Sequence, residues 1–331
     1  MTTLFPLLRL PRLALISVFQ QMEPIDLIAF SLLSNRARLL SKTSCLTATS
    51  INIVAKTHTL DIDIVLRDGK RLFILLCAEN HTDFMGVLVD NKTAVWRILG
   101  LSTAELIHRI LDVTNRESIQ EVQFYEPESF DALPILATLP HIEQIYISRD
   151  CNEVFVHKIF EMLSKMTSNI DMYQDGFENL EEFQKVLMLN MNSITINVLM
   201  VRDPTRFRLS LDDLIICNAV HLHLLGVRVD VKTLNRFFKL WKKNKSNPRL
   251  EHLNFITFEE VSPDVLLKGL SVIKMPPTTT RTFRVADYPN SRCKEKVMTG
   301  GLDVIRSDGT RATLEVEAMP GISFVEFYVW M

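Results

Sequence analysis

His221 and His223 alternate in the stretch VHLHLL, and His252 follows in LEHLNFI. Residues two apart on a strand point to the same side, so the first pair shares a face and His252 falls one strand away. Three imidazoles on one face are a donor set for zinc. No cysteine or carboxylate nearby completes a known ligand spacing, so the plainer reading is polar side chains on a water-facing strand, and no metal is expected.

The paired carboxylates read in the same structural way. Asp61 and Asp63 alternate along a strand. Asp212 and Asp213 follow Ser210 at a helix start, where carboxylates offset the N-terminal dipole. Glu181 and Glu182 fall on a solvated helix. None of these pairs is accompanied by a nucleophile, a base or a phosphate loop. The chain contains no G-x-x-x-x-G-K, G-x-G-x-x-G, G-x-S-x-G or H-E-x-x-H, and 10 glycines in 331 residues leave little for phosphate cradles. The sequence therefore reads as a non-catalytic protein with no cofactor.

Composition narrows the partners. Apolar residues make up 47% and charged residues 23% of the chain, which is the balance of a folded protein with a large core. A net charge of −2 gives no overall pull toward nucleic acid or acidic lipid. The basic stretch KLWKKNKSNPR is explained by a helix with Leu234, Phe237, Phe238 and Trp241 inward and Lys232, Lys239, Lys242 and Lys243 toward water. No apolar run reaches the length of a membrane span. Pro6, Arg9, Pro11 and Arg12 break the apolar N-terminus, which does not read as a signal peptide. Five dispersed cysteines (Cys45, Cys77, Cys151, Cys217 and Cys293) read as reduced core residues of a cytoplasmic or nuclear protein.

The elements that must position these residues follow from periodicity. Pro11 opens a helix with an apolar stripe of Leu15, Val18, Phe19 and Met22. Pro24 opens a second helix carrying Leu27, Ile28, Phe30 and Leu33, and a third, with Arg36 and Arg38, runs to about Lys42. Asp68-Gly69 and Asp308-Gly309, each between apolar runs, predict hairpins, and ISFVEFYVW predicts a final strand. Between the hairpins, strand-like pieces centred on Phe124, Ile147, Met172, Ile196, Leu224 and Phe255 recur every 23 to 31 residues, with helical patterns in most gaps. Ser102 with Glu105, and Ser262 before Pro263, read as helix starts.

That period predicts an α/β chain: an N-terminal three-helix segment over 4–45, a β-hairpin linker region over 50–100, a leucine-rich-repeat-like strand–helix solenoid over 101–275 and a C-terminal β-hairpin cap over 276–331. If the repeat cores point inward, Tyr125, Tyr146, Tyr173, Asn197, His221, His223, His252 and Asn254 point outward. Three of the five tyrosines then share one face, which makes it a candidate surface for a protein substrate.

The N-terminal segment resembles an F-box. Leu10-Pro11 supplies the opening pair. Leu15, Val18, Phe19 and Met22 fit the first helix, Asp26-Leu27 and Phe30 the second, and Leu33-Ser34-Asn35-Arg36 its close. Leu13 stands where an acidic residue is common and Ala37 where many members carry Trp. Residues 210 to 255 are similar to the type 2 F-box-associated domain of nematode F-box families, most specifically in LNRFFKLW and SNPRLEHL. The resemblance implies a substrate-recognition subunit of an SCF-type ubiquitin ligase. Leu10, Pro11, Leu15, Val18, Phe19, Met22, Asp26, Leu27, Phe30 and Leu33 would dock on a Skp-type adaptor, and through it reach cullin and a RING protein. The C-terminal solenoid, which contains the F-box-associated domain, would bind an unknown target protein. The alternative is an interaction scaffold, adaptor-bound or free, with no degradative role.

Overall fold

A computed structural model describes residues 10–77, 84–89, 92–97, 100–125, 132–173, 180–199, 208–287 and 292–330. The architecture is mixed α/β, with N-terminal helices followed by strand-rich sheet. The chain divides into two compact units, 1–143 and 144–331.

The first unit opens with three helices, α1 (Arg12–Gln21), α2 (Pro24–Leu32) and α3 (Asn35–Ser41). Pro11 is the N-cap residue of α1 and Pro24 the first residue of α2, where a missing N–H costs no helical bond. The Ser34 side chain caps α3 by accepting from the Ala37 amide at 3.1 Å. Ala37, at the position that departs from the common Trp, is buried.

Five antiparallel strands follow in sequence: β1 (Ala48–Ala55), β2 (Thr59–Leu66), β3 (Arg71–Cys77), β4 (Phe84–Val89) and β5 (Lys92–Arg97). The β2–β3 turn falls at Asp68-Gly69, as the sequence predicts. Gly69 takes φ +86°, and the Asp68 carboxylate accepts from the Lys70 amide at 3.1 Å. Strict alternation buries Ile51 and Ile53, Leu60, Ile62 and Ile64, and Leu72 and Ile74 on one face. α4 (Thr103–Val113) starts at the expected capping box, Ser102 with Glu105. β6 (Ile119–Phe124) then pairs parallel with β1, with Asn52 opposite Glu121, and the short α5 (Leu133–Leu136) follows.

β7 (Ile142–Ile147) leads into the second unit. There α6 (Glu153–Leu163), β8 (Asn169–Tyr173), α7 (Leu180–Leu187), β9 (Ser193–Asn197), α8 (Leu211–Ile216), β10 (His221–Leu225), α9 (Val231–Lys242), β11 (His252–Thr257) and α10 (Pro263–Leu267) alternate. The strands β7 to β11 pair in parallel. Their register aligns Ile147, Met172, Ile196, Leu224 and Phe255 in one cross-strand column. These are the residues the spacing singles out, and all are buried. On α9, Leu234, Phe237, Phe238 and Trp241 are buried while Lys232 and Lys243 are exposed, so amphipathic packing accounts for the basic stretch.

The C-terminal part adds β12 (Ile273–Lys274), β13 (Thr280–Asp287), β14 (Arg292–Thr299), β15 (Leu302–Ile305), β16 (Arg311–Met319) and β17 (Ile322–Val329). β17 pairs antiparallel with β11, and the sheet continues through β16 and β15 to β12. The β15–β16 turn falls at the expected Asp308-Gly309, with Gly309 at φ +91°. β13 and β14 form a separate two-stranded sheet. Cys151 and Cys217 are buried, and burial pushes the Cys217 thiol up to about 11. Cys45, expected in the core, is exposed because it ends a 3-10 turn in the left-handed region. The side chains of Cys77 and Cys293 lie outside the described residues.

Candidate interaction surfaces

The N-terminal helices close on themselves. Leu15, Phe19 and Leu27 form a buried cluster, with Leu10, Met22, Phe30 and Leu40 packed against it. The Phe19 and Phe30 rings lie 5.2 Å apart. This corrects the expectation of an open docking stripe at Leu15, Phe19 and Leu27: those residues are spent on the internal core. Leu10, Val18, Met22 and Phe30 are half-buried, and Pro11, Asp26 and Leu33 are exposed. The apolar side chains left in water are Leu13 on α1, Leu33 at the C-cap of α2 and Leu39 on α3, at 81%, 74% and 66% exposure. Leu13 and Leu39 fall off the stripe that the spacing predicts. Their signal in the sequence was a large apolar residue on the face the stripe leaves outward.

Helix α4 ties down the helices around them. The buried Arg109 donates from Nη1 to the carbonyls of Ser31 and Leu32, at 3.0 and 3.1 Å, and from Nη2 to Asn35 Oδ1 at 3.4 Å. Those carbonyls lie in the last turn of α2, where no intrahelical donor remains. Arg38 and Lys42 pair with Asp112, the latter at 2.7 Å.

The strand face of the second unit is covered. His221, His223, His252 and Asn197 are buried, and Asn254 is half-buried. Alternation placed the histidines on one side correctly, with ring centroids 5.3 Å apart for His223 and His252 and 6.3 Å for His221 and His252. What alternation could not show is the cover. β13 packs on β11 and β17, where Phe283, Val285 and Met298 cluster with Tyr328. Tyr328 stacks on His252 at 5.0 Å. By burial the three histidines and Asn197 are interior groups, not contacts open to a partner. Tyr146 and Tyr173 remain half-buried and touch each other, with centroids 4.9 Å apart. In the first unit, Tyr125 follows β6 and is 37% exposed.

Burial sets the charge of this layer. It pushes His221 down to about 4 and His223 to about 3, with the neighbouring His252 adding to both, so both rings are neutral near pH 7. Burial raises the Glu326 carboxyl. Its hydrogen bonds with His252, 2.9 Å away, and Tyr328, with the charges of His252 and Lys296, outweigh this and hold it below the ordinary range. Burial, then the Glu326 charge, raises the Tyr328 phenol. Among the described residues no three His, Cys, Asp or Glu side chains are arranged to hold a metal ion.

The carboxylate pairs are structural too. Asp61 pairs with Lys56 at 2.6 Å and Asp63 with Arg71 at 2.5 Å. Asp213 forms the N-terminal box of α8 with Ser210. Glu182 meets Lys185 at 2.6 Å and His157 at 2.8 Å. Among the described residues no helix is long and apolar enough to cross a membrane.

Comparison with protein families agrees with the resemblance. Residues 7–49 match the F-box domain model, and residues 182–255 match the F-box associated model. The second match begins before the 210–255 stretch that carries the resemblance. No curated protein and no solved structure matches the chain.

Proposed function

We propose that this chain, which carries an F-box and an F-box-associated region, is a substrate receptor of an SCF-type ubiquitin ligase. Its F-box docks on a Skp-type adaptor and so reaches a cullin and a RING protein. It works without catalytic residues, in the cytoplasm or nucleus, by holding a target protein near the ubiquitin-transfer machinery.

One observation carries the reading. Within the region matched as an F-box, the helices have closed their own core and still leave Leu13, Leu33 and Leu39 in water. These are three of the four most exposed large apolar side chains among the described residues. Scattered exposed leucines need no explanation, but this concentration on one small helical unit favours a partner. Each leucine buried on docking would stabilise the complex by roughly 1.5–3 kcal/mol before association costs.

In this reading the F-box spans 4–45 and strands follow over 50–100. A leucine-rich-repeat-like solenoid over 101–275 provides the target-binding part, with a C-terminal cap over 276–331. The aligned column from Ile147 to Phe255 supports the repeat. Tyr146, Tyr173 and Asn254 stay candidate target contacts of the second unit because each retains solvent exposure, and Tyr125 stays one of the first unit on the same ground.

Co-purification with a Skp-type adaptor tests the ligase reading. Wild type should retain the adaptor. Loss of target turnover when the adaptor is removed would separate a ligase receptor from a scaffold, and unchanged turnover would favour the scaffold.

A further inference from the structure

Strand β16 outruns its neighbour on one side. β15 pairs with it only from Arg311 to Leu314, whereas β17 pairs with it as far as Met319. The Trp330 amide donates to the Arg311 carbonyl and the Arg306 amide to the Thr310 carbonyl, which fixes the alternation of the two antiparallel ladders. Odd-numbered residues of β16 exchange backbone bonds with β17 and even-numbered residues with β15. Beyond Leu314, Val316 and Ala318 therefore direct their amides and carbonyls to a side where no described strand pairs with them. The residues before β15 do not fill it: Gly300 and Gly301 both take positive φ, and their backbone bonds go to Thr279 and Met275. Unpaired backbone groups in such a row are a template for another strand.

One face of this edge is acidic. Glu315 and Glu317, two residues apart, share it with Glu326, which stands opposite Glu315. Lys296 lies 3.8 Å from Glu326 and meets the Tyr328 hydroxyl. Among the described residues none forms an ion pair with Glu315 or Glu317. Burial raises the Glu315 carboxyl; the Lys296 charge opposes this, and those of Glu326 and Glu317 add to it. Met319, next on the same face, is 50% exposed.

We propose that the open edge of β16 accepts an extended segment of a partner protein as an added strand, with a large apolar residue two positions before a Lys or Arg. β15 and β17 both run antiparallel to β16, and the added strand continues that pattern. Its cation then stands opposite Glu317 and diagonal to Glu315, and its apolar residue stands opposite Met319. A second copy of this chain is a poor occupant. An antiparallel pair of copies that engages both Val316 and Ala318 sets Glu317 opposite the Glu317 of the second copy, and like charges directly opposed destabilise a sheet. Identifying the partner as the ubiquitination target rests on the receptor reading above; the preference of the edge does not.

The test uses the full chain and fluorescein-labelled Gly-Ser-Leu-Thr-Lys-Val-Gly in a polarisation titration. Saturable binding is expected. N-methylation of the peptide valine amide should abolish it, because in this register that N–H donates to the Val316 carbonyl. Glu317→Lys, at an exposed position, should weaken binding about fivefold, and replacing the peptide lysine by glutamate should restore it. Ala318→Pro removes a donor that faces the open side and no bond to β17, so it should abolish binding at an unchanged melting temperature. Adaptor retention by the same variants should not change, so a failure of the edge is distinguishable from a failure of the F-box reading. No binding by wild type, or equal binding of the N-methylated peptide, would overturn the proposal. So would a wild-type dimer in sedimentation that Ala318→Pro dissociates, since the edge would then belong to a second copy.

Discussion

Arg109 Nη1 donates to the carbonyl of Ser31 at 3.0 Å, joining α4 to the last turn of α2. The guanidinium supplies the donor that the helix end lacks and places a positive charge where the helix dipole is negative. Removing it leaves buried carbonyls without a partner. Arg109→Met should therefore destabilise the first unit by about 1–3 kcal/mol, read as a lowered denaturant midpoint. A midpoint equal to wild type would mean that water replaces the guanidinium.

The inner and outer apolar residues of the N-terminal helices should separate cleanly. Phe19 is fully buried and Leu13 is 81% exposed. Phe19→Ala should cost about 3–5 kcal/mol, whereas Leu13→Asp should change stability by no more than about 0.5 kcal/mol. Comparable losses in urea melts of the two variants would show that the cluster around Phe19 is not the core of this segment.

Stability should fall on the acid side of neutrality. Burial holds His221 at about 4 and His223 at about 3, below their ordinary 6.5; His252 acts on both, Arg284 on His221 and Glu326 on His223. Well above pH 6.5 both rings are neutral folded or unfolded, and they add no pH dependence. As the pH drops from 6.5 toward the folded values, the unfolded chain takes up protons that the folded chain refuses, so stability is lost. His223→Leu removes one of these groups and should flatten the decline between pH 6.5 and 5 in melting-temperature measurements. An unchanged slope would place the ring in contact with water.

Much of the fold was legible in the sequence because its signals are local. The Asp-Gly turns, the Ser102 and Ser210 helix starts and the column from Ile147 to Phe255 each depend on residues a few positions apart or on one repeated spacing. The surfaces were less legible. Alternation assigns His221, His223 and His252 to one face, but the cover over that face comes from Phe283 and Tyr328, tens of residues further along. In the N-terminal helices the stripe of Leu15, Phe19 and Leu27 is apolar whether it is a core or a docking surface. Only the packing of Phe30 and Leu40 against it decides which, and this leaves Leu13 and Leu39 as the outward set.

The most direct measurement is adaptor retention by the Leu13→Asp/Leu33→Asp/Leu39→Asp variant, with circular dichroism showing the fold unchanged. Wild type should co-purify with a Skp-type adaptor at equal stoichiometry, and the variant should lose it while melting at the same temperature. Adaptor retained by the folded variant would contradict a docking surface built on these leucines. Failure of wild type itself to bind would contradict the receptor reading altogether.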